Sequence, residues 1–236
     1  MTLQEIIDTS EKIVFFGGAG VSTESGIPDF RSVDGIYNQK YKRDPEEIVS
    51  RTFFYENPKE FYEFYKDRMV YLEAKPNAAH IKLAELEASG KDITIVTQNI
   101  DGLHQAAGSK KVIELHGSIH RNHCLICKKA YDLSYIVESK GIPYCDCGGI
   151  VKPDVVLYEE NLNEQDIKDA VNAIKEADTM IIGGTSLSVY PAAGFINYFR
   201  GKNLVVINRT ETSADERAGL VIHDSIGKVF EEIKVR

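Results

Sequence analysis

The chain has 236 residues, enough for one large globular domain with insertions. Its 28 basic and 36 acidic residues give a net charge of −8, which argues against direct nucleic-acid binding, because such proteins cluster Lys and Arg against the phosphate backbone. No apolar run approaches the roughly 20 residues of a membrane helix. The N-terminal segment lacks the basic and apolar regions of a signal peptide. We therefore expect a cytoplasmic protein that binds neither nucleic acid nor membrane.

Short apolar runs alternate with helical patterns along most of the chain. The runs are nearly continuous, which is typical of parallel strands covered on both faces. They occupy residues 13–16, 93–97, 112–115, 180–184 and 204–208. Helices are predicted at residues 78–89, at 164–177 after the N-cap Asn163, and from Pro191 to about Arg200. The alternation predicts an α/β fold with a doubly wound parallel sheet.

Two segments interrupt this alternation. Residues 37–75 are rich in charged and aromatic side chains and are predicted to form a helical insertion, whereas residues 121–152 hold all four cysteines. The cysteines form two close pairs, Cys124-x2-Cys127 and Cys145-x-Cys147. Paired thiolates predict a structural zinc site rather than a redox dithiol or merely buried thiols. Because four sulfurs complete a tetrahedral site, His120 and His123 are interpreted as polar surface residues.

The segment "GGAGVSTESGIPDFR" follows the first predicted strand. Small residues there allow a pyrophosphate to approach the backbone. Gly18-x-Gly20 lacks the third glycine of the usual dinucleotide motif, so a simple tight turn is the alternative. Further polar, charged and aromatic residues in the segment favour a ligand site, namely Ser22, Glu24, Ser25, Asp29, Phe30 and Arg31.

Polar side chains also follow two later strands. Gln98, Asn99 and Asp101 follow the run at 93–97, at the strand end where open α/β sheets bind ligands. An amide can pair with a carboxamide, and a carboxylate can hold ribose hydroxyls or stabilise a developing cation. A capped loop is the alternative for these turn-forming residues. His116 follows the run at 112–115 and is a candidate general base.

Taken together, these stretches resemble the sirtuin family of NAD-dependent protein-lysine deacylases. The resemblance rests on "GAGVSTESGIPDFRS", "TQNIDGLH", "ELHGS", the paired cysteines, "GTSLSVYPAAGF" and "VVINRT", which occur in the family's order. It implies a Rossmann-like domain over residues 1–37, 76–118 and 153–236. A small domain would combine a helical module at 38–75 with a zinc-binding module at 119–152.

The resemblance also implies roles for single residues. NAD would be held by Ala19, Gly20, Glu24, Asp29, Phe30, Arg31, Gln98, Asn99, Asp101, Gly184, Thr185, Ser186 and Asn208. The catalytic residues would be His116 as general base, with Asn99 and Asp101. Structural Zn²⁺ would be bound by Cys124, Cys127, Cys145 and Cys147. Val156 and Tyr158 would flank the lysine of an acyl-lysine peptide or protein substrate.

The implied reaction is deacetylation of lysine, with release of nicotinamide and transfer of the acyl group to ADP-ribose. One alternative is removal of succinyl or malonyl groups, in which Tyr65 and Arg68 would bind the acyl carboxylate. A second is mono-ADP-ribosyl transfer, and a third is a non-catalytic NAD-binding or zinc scaffold. We expect a monomer.

Overall fold

The computed structural model describes residues 1–30, 35–36 and 43–235. Within these ranges, six strands form one sheet in the order β3-β2-β1-β7-β8-β9, and every neighbouring pair is parallel. The strands are β1 (Lys12–Gly17), β2 (Asp92–Thr97), β3 (Val112–Glu114), β7 (Thr179–Gly183), β8 (Asn203–Ile207) and β9 (Leu220–Ile222). The predicted doubly wound α/β fold is confirmed.

The strand order reverses direction at the centre of this sheet. The chain proceeds outward from β1 through β2 to β3, then returns to β7 on the other side of β1 and proceeds outward again. Gly17 at the end of β1 lies beside Gly183 at the end of β7. Open α/β sheets bind ligands in the crevice at such a reversal, outside the carboxyl ends of the strands.

Both faces of the sheet are covered, which explains the continuous apolar runs. Val14 and Phe16 face one core cluster, and Ile13 and Phe15 face the other, as alternation along a strand requires. The helices that cover the sheet include α1 (Leu3–Thr9), α5 (Ala78–Ala88), α6 (Leu103–Ala107), α8 (Glu164–Glu176) and α9 (Ile226–Glu231). Asn163 caps α8 as predicted, since its Oδ1 accepts the N–H groups of Gln165 and Asp166.

The helix predicted from Pro191 is a 3₁₀ segment instead, Ala192–Tyr198. Gly194 and the neighbouring aromatic and β-branched residues have low α-helical propensity, and Gly194 N–H bonds three residues back to the carbonyl of Pro191. None of the helices in the described ranges is long and apolar enough to cross a bilayer.

The cysteine segment belongs to a second sheet. Among the described residues this sheet has the order β5-β4-β6, and its strands are β4 (Gly117–Cys124), β5 (Ala130–Tyr131) and β6 (Val151–Val155). Helices α2 (Pro45–Ile48), α3 (Arg51–Glu56), α4 (Pro58–Arg68) and α7 (Leu133–Glu138) accompany it. The sheet and α2–α4 share one apolar cluster, which contains Phe54, Phe61, Tyr62 and Val151. Strand β4 starts directly after His116, so the two sheets meet at that residue.

Candidate active site

The glycine loop lies against the end of β7. Gly20 N–H donates to the Gly184 carbonyl at 2.8 Å, and a Cβ at Gly20 would lie 2.8 Å from that oxygen. A Cβ at Gly18 would lie 2.7 Å from Thr185 Cβ. Glycine is therefore required at both positions, and the two loops that border the crevice are in direct contact.

One serine joins the two polar residues that follow β2. Ser22 Oγ donates to Asp101 Oδ2 at 2.6 Å and accepts a hydrogen bond from Asn99 Nδ2 at 3.1 Å. The second carboxylate oxygen of Asp101 accepts the N–H of Leu103, the first residue of α6, at 2.9 Å. Burial raises the pKa of Asp101, while the Ser22 and Leu103 hydrogen bonds oppose that rise. The Asn99 amide and the Asp101 carboxylate are thereby held in fixed relative positions.

His116 has a defined tautomer. Its Nδ1 lies 3.0 Å from the carbonyl oxygen of Gln98. A carbonyl can only accept, so Nδ1 carries the proton and Nε2 of the neutral ring is left as the basic atom. Burial lowers the pKa of His116, and the Gln98 hydrogen bond opposes that effect. The neutral, proton-accepting form is therefore favoured near neutral pH.

Two cavities meet at His116. The first, of about 360 Å³, lies over the ends of β1, β7 and β8. The second, of about 220 Å³, lies between the two sheets beside residues 155–160. Among the described residues, six line both cavities, namely Ala19, Phe30, Gln98, Asn99, His116 and Val189. A molecule in either cavity would therefore reach the imidazole of His116.

Most of the predicted cofactor residues line the first cavity. These are Ala19, Gly20, Asp29, Phe30, Gln98, Asn99, Gly184, Thr185, Ser186 and Asn208, whereas Asp101 lines the second cavity. Thr185 Oγ1 accepts a hydrogen bond from Gln98 Nε2 at 3.2 Å, which joins the loops after β2 and β7. Arg31 lies outside the described residues.

Glu24 does not lie where the sequence predicted. Among the described residues it lines neither cavity, and its Oε2 accepts the Gly227 N–H at 2.6 Å in the first turn of α9. A carboxylate at a helix N-terminus satisfies an otherwise unpaired amide. We therefore assign Glu24 to the docking of α9 and not to the cofactor.

Val156 and Tyr158 line the second cavity, as predicted for the substrate side. Tyr158 forms a parallel bridge with Ser50, through Tyr158 N–H to the Val49 carbonyl and Arg51 N–H to the Tyr158 carbonyl. One edge of this cavity wall is therefore fixed to the helical region.

Tyr65 and Arg68 are placed differently. Tyr65 is fully buried in the apolar cluster and stacks on Phe61, with ring centroids 5.7 Å apart. Arg68 forms an ion pair with Asp67, with Nε 2.7 Å from Oδ2. Met69 lines the second cavity, whereas its described lining includes neither Tyr65 nor Arg68.

The four cysteines form one cluster. The sulfurs of Cys124, Cys127, Cys145 and Cys147 all lie within 4.8 Å of one another. Tetrahedral zinc with Zn–S bonds of about 2.3 Å requires sulfurs roughly 3.8 Å apart, so the residues fit Zn²⁺. A Cβ at Gly149 would lie 2.6 Å from Cys124 Sγ, which explains the glycine beside the metal site. Four protein sulfurs leave no coordination position for a substrate.

Two residues contact this site in ways that the sequence did not predict. Ser22 bonds to Asn99 and Asp101, and His120 Nε2 lies 3.0 Å from the Asp101 carbonyl oxygen. His120 is exposed, as interpreted from the sequence, and its Nε2 in addition contacts the Asp101 carbonyl. Both contacts join segments that are distant along the chain, so local spacing gave no signal for them.

Comparison with known proteins identifies the class. The model of the Sir2 family matches residues 18–191. An NAD-dependent protein deacetylase of Clostridium perfringens is 63% identical over 235 residues, which cover 98% of this chain and 96% of that protein. An NAD-dependent protein deacetylase of Clostridium acetobutylicum is 59% identical, with the same shares covered.

Solved structures agree in fold. A complex described as "Sir2-p53 peptide-NAD+" has a TM-score of 0.86 and 40% identity, covering 98% of this chain and 96% of that one. A structure of "Sir2 bound to acetylated peptide" has a TM-score of 0.86 and 38% identity, with the same shares covered. This chain belongs to the Sir2 family, the sirtuins.

Proposed function

We propose that the protein is an NAD-dependent protein-lysine deacetylase that transfers the acetyl group to ADP-ribose and releases nicotinamide. The observation that carries this proposal is the position of His116 in the wall shared by the two cavities, with Nδ1 tied to Gln98 and Nε2 available as a base. Two substrates that enter from opposite sides would meet at this ring. The names of the close relatives, which are called NAD-dependent protein deacetylases, support the same reaction.

The first cavity is the proposed NAD site. Its backbone amides and small residues, Gly18 to Gly20 and Gly184 to Ser186, suit a pyrophosphate. Asn208, at the end of β8, is assigned to the adenosine half. Gln98, Asn99 and Asp101 are assigned to the nicotinamide and ribose half, where an amide dipole and a carboxylate favour developing positive charge. NAD⁺, when bound, supplies the electrophilic ribose carbon and the hydroxyl that finally carries the acetyl group.

The second cavity is the proposed acetyl-lysine site. Val156 and Tyr158 would flank the side chain of the acyl-lysine, and an extended peptide would lie along residues 155–160, which line this cavity. Phe30 lines both cavities and would exclude water from the reacting atoms. His116 Nε2 would accept a proton from the hydroxyl that attacks the acyl carbon.

The remaining assignments concern the whole chain. We propose that residues 1–37, 76–118 and 153–236 form the NAD-binding domain, with a helical module at 38–75 and a zinc module at 119–152. Zinc would be structural, held by Cys124, Cys127, Cys145 and Cys147. Clustered thiol ligands suit a reducing compartment, which supports a cytoplasmic location. We propose a monomer acting on acyl-lysine peptides or proteins.

The test is incubation of the purified protein with NAD⁺ and matched acetyl-lysine and succinyl-lysine peptides, with products followed by mass spectrometry. We expect loss of acetyl with formation of O-acetyl-ADP-ribose, and slower loss of succinyl because Tyr65 and Arg68 do not line the second cavity. Faster loss of succinyl would favour the desuccinylase alternative. ADP-ribosylated product without acyl loss would favour the transferase alternative.

A further inference from the structure

Strand β4 contains a bulge beside the active site. Its partner β6 pairs Ser118 with Asp154 and Asn122 with Pro153, so two adjacent residues of β6 face two residues of β4 that are four apart. Residues 119–121 are therefore extra in β4 and are not paired in the ladder with β6. Bulges occur often next to active sites, where they redirect side chains.

The bulge contacts the segment that carries Asn99 and Asp101. Ile119 N–H donates to the Ile100 carbonyl at 3.0 Å. His120 Nε2 lies 3.0 Å from the Asp101 carbonyl oxygen. Since that oxygen only accepts, Nε2 carries the proton, and it remains a donor whether the ring is neutral or charged.

The His120 ring also packs on Gly102. Gly102 has φ +73°, and a Cβ at this position would lie 2.7 Å from His120 Cδ2. The glycine therefore serves both the left-handed backbone and the close approach of the imidazole. Together with the Ile100 contact, three consecutive residues, Ile100, Asp101 and Gly102, are contacted by the bulge of β4.

We infer that His120 is a positioning residue for Asn99 and Asp101. This inference rests on the proposed function. The Asn99 amide and Asp101 carboxylate must keep their geometry while charge develops on the ribose, and Ser22 fixes only their side chains. His120 fixes the Asp101 main chain. It is not among the described residues that line either cavity, so it acts through Asp101 and not by contact with substrate.

The test compares His120→Phe, which keeps a planar ring but has no donor, with His120→Gln, whose amide N–H can reach the same carbonyl. Loss of one hydrogen bond of ordinary strength from the transition state lowers kcat/KM about two- to tenfold. We expect kcat/KM for NAD⁺ to fall by that factor in His120→Phe, with KM for the acetyl-lysine peptide and the thermal midpoint unchanged. His120→Gln should recover most of the loss.

His123→Phe is the matched control, because His123 lies on the same strand outside both described cavity linings. Equal kcat/KM for NAD⁺ in His120→Phe and His123→Phe would overturn the inference. A lower thermal midpoint of His120→Phe, with equal losses of kcat/KM for NAD⁺ and for the peptide, would also overturn it, because that result would indicate a merely structural role. A wild-type protein without deacetylase activity would overturn the proposed function, and the positioning role with it.

Discussion

His116 combines a fixed tautomer with a shared position between two cavities, and these properties separate its role from that of Asn99 and Asp101. The proposed reaction first breaks the bond to nicotinamide, and His116 accepts a proton only afterwards. His116→Ala should therefore lower deacetylation about 10²–10⁴-fold, the usual contribution of a general base. Exchange of labelled nicotinamide into NAD⁺ in the presence of acetyl-lysine peptide should persist, and radiolabel incorporation measures it.

Parallel loss of exchange and deacetylation in His116→Ala would contradict this order of events. The pH dependence gives a second check on the same residue. Because burial lowers the pKa of His116, the neutral base persists to lower pH than in a free imidazole. In the pH profile of kcat/KM, the midpoint of the fall towards acid pH should therefore lie below about pH 6.5, the ordinary pKa of histidine.

The sequence predicts side chains at strand ends better than it predicts their partners. His116, Asn99 and Asp101 were recognisable because each follows an apolar run at the edge where parallel strands end. The role of Ser22 depends on a contact with a residue 79 positions away. Glu24 was assigned to the cofactor loop, yet its carboxylate bonds to Gly227, 203 positions away. Such contacts depend on tertiary packing, which spacing does not encode.

The four cysteines lie at the end of the second sheet, which shares its apolar cluster with α2–α4. Because metal ligands that form only in the folded chain couple binding to folding, zinc binding should supply part of the folding free energy of this segment. Strand β4 runs from this metal site to Gly117, directly after His116. Loss of zinc should therefore disturb the active site from a distance.

Cys145→Ser should abolish stoichiometric zinc binding, lower the thermal midpoint and remove deacetylation. Each kcal/mol lost from the free energy of unfolding lowers the thermal midpoint by about 2–4 °C in a chain of this length. Elemental analysis and thermal melts measure the first two effects. Lys129→Gln is the control, because its exposed ammonium pairs with Asp146 within the same segment. A Cys145→Ser protein that keeps wild-type activity would contradict the coupling.

The continuous apolar runs predicted β1, β2, β3, β7 and β8 of the large sheet correctly, whereas β9 escaped prediction. Strand β9 has three half-buried residues, which is too few for a periodic pattern. The bulge in β4 gave no local signal either, since its cause is the pairing with β6. The predicted helix after Pro191 had the right place but the wrong type, because the pattern of apolar residues does not distinguish a 3₁₀ turn from an α-helix.

At the scale of the whole molecule, two buried histidines pack against each other between α5 and α6. His80 on α5 and His104 on α6 are almost inaccessible, with ring centroids 4.6 Å apart. Asn77, the N-cap of α5, also donates to the Val21 carbonyl and to Ser25 Oγ in the glycine loop. Helix α6 begins at Leu103, whose N–H donates to the Asp101 carboxylate. The histidine pair therefore lies between one helix whose N-cap contacts the glycine loop and another that begins just after Asp101.

This pair must be neutral in the folded state. Burial lowers the pKa of His80 to about 4, and burial together with His80 lowers the pKa of His104 further below its ordinary value. In the unfolded chain both rings bind protons below about pH 6.5. Between about pH 6.5 and 4 the unfolded state therefore binds more protons, and the free energy of unfolding falls as pH falls through this window.

For His80 alone, the shift of the pKa to about 4 lowers the free energy of unfolding by roughly 2 kcal/mol between pH 7 and pH 5. The lowered pKa of His104 acts in the same direction.

Urea melts at pH 7 and pH 5 should show this loss of unfolding free energy in the wild type. The loss should be smaller in a His80→Met, His104→Met double variant, because methionine fills the space without titrating. His123→Gln should behave as the wild type. The comparison uses the change with pH, so a lower absolute stability of the double variant does not affect it. Equal losses in wild type and double variant would mean that other groups, such as the paired carboxylates, set the acid stability of the protein.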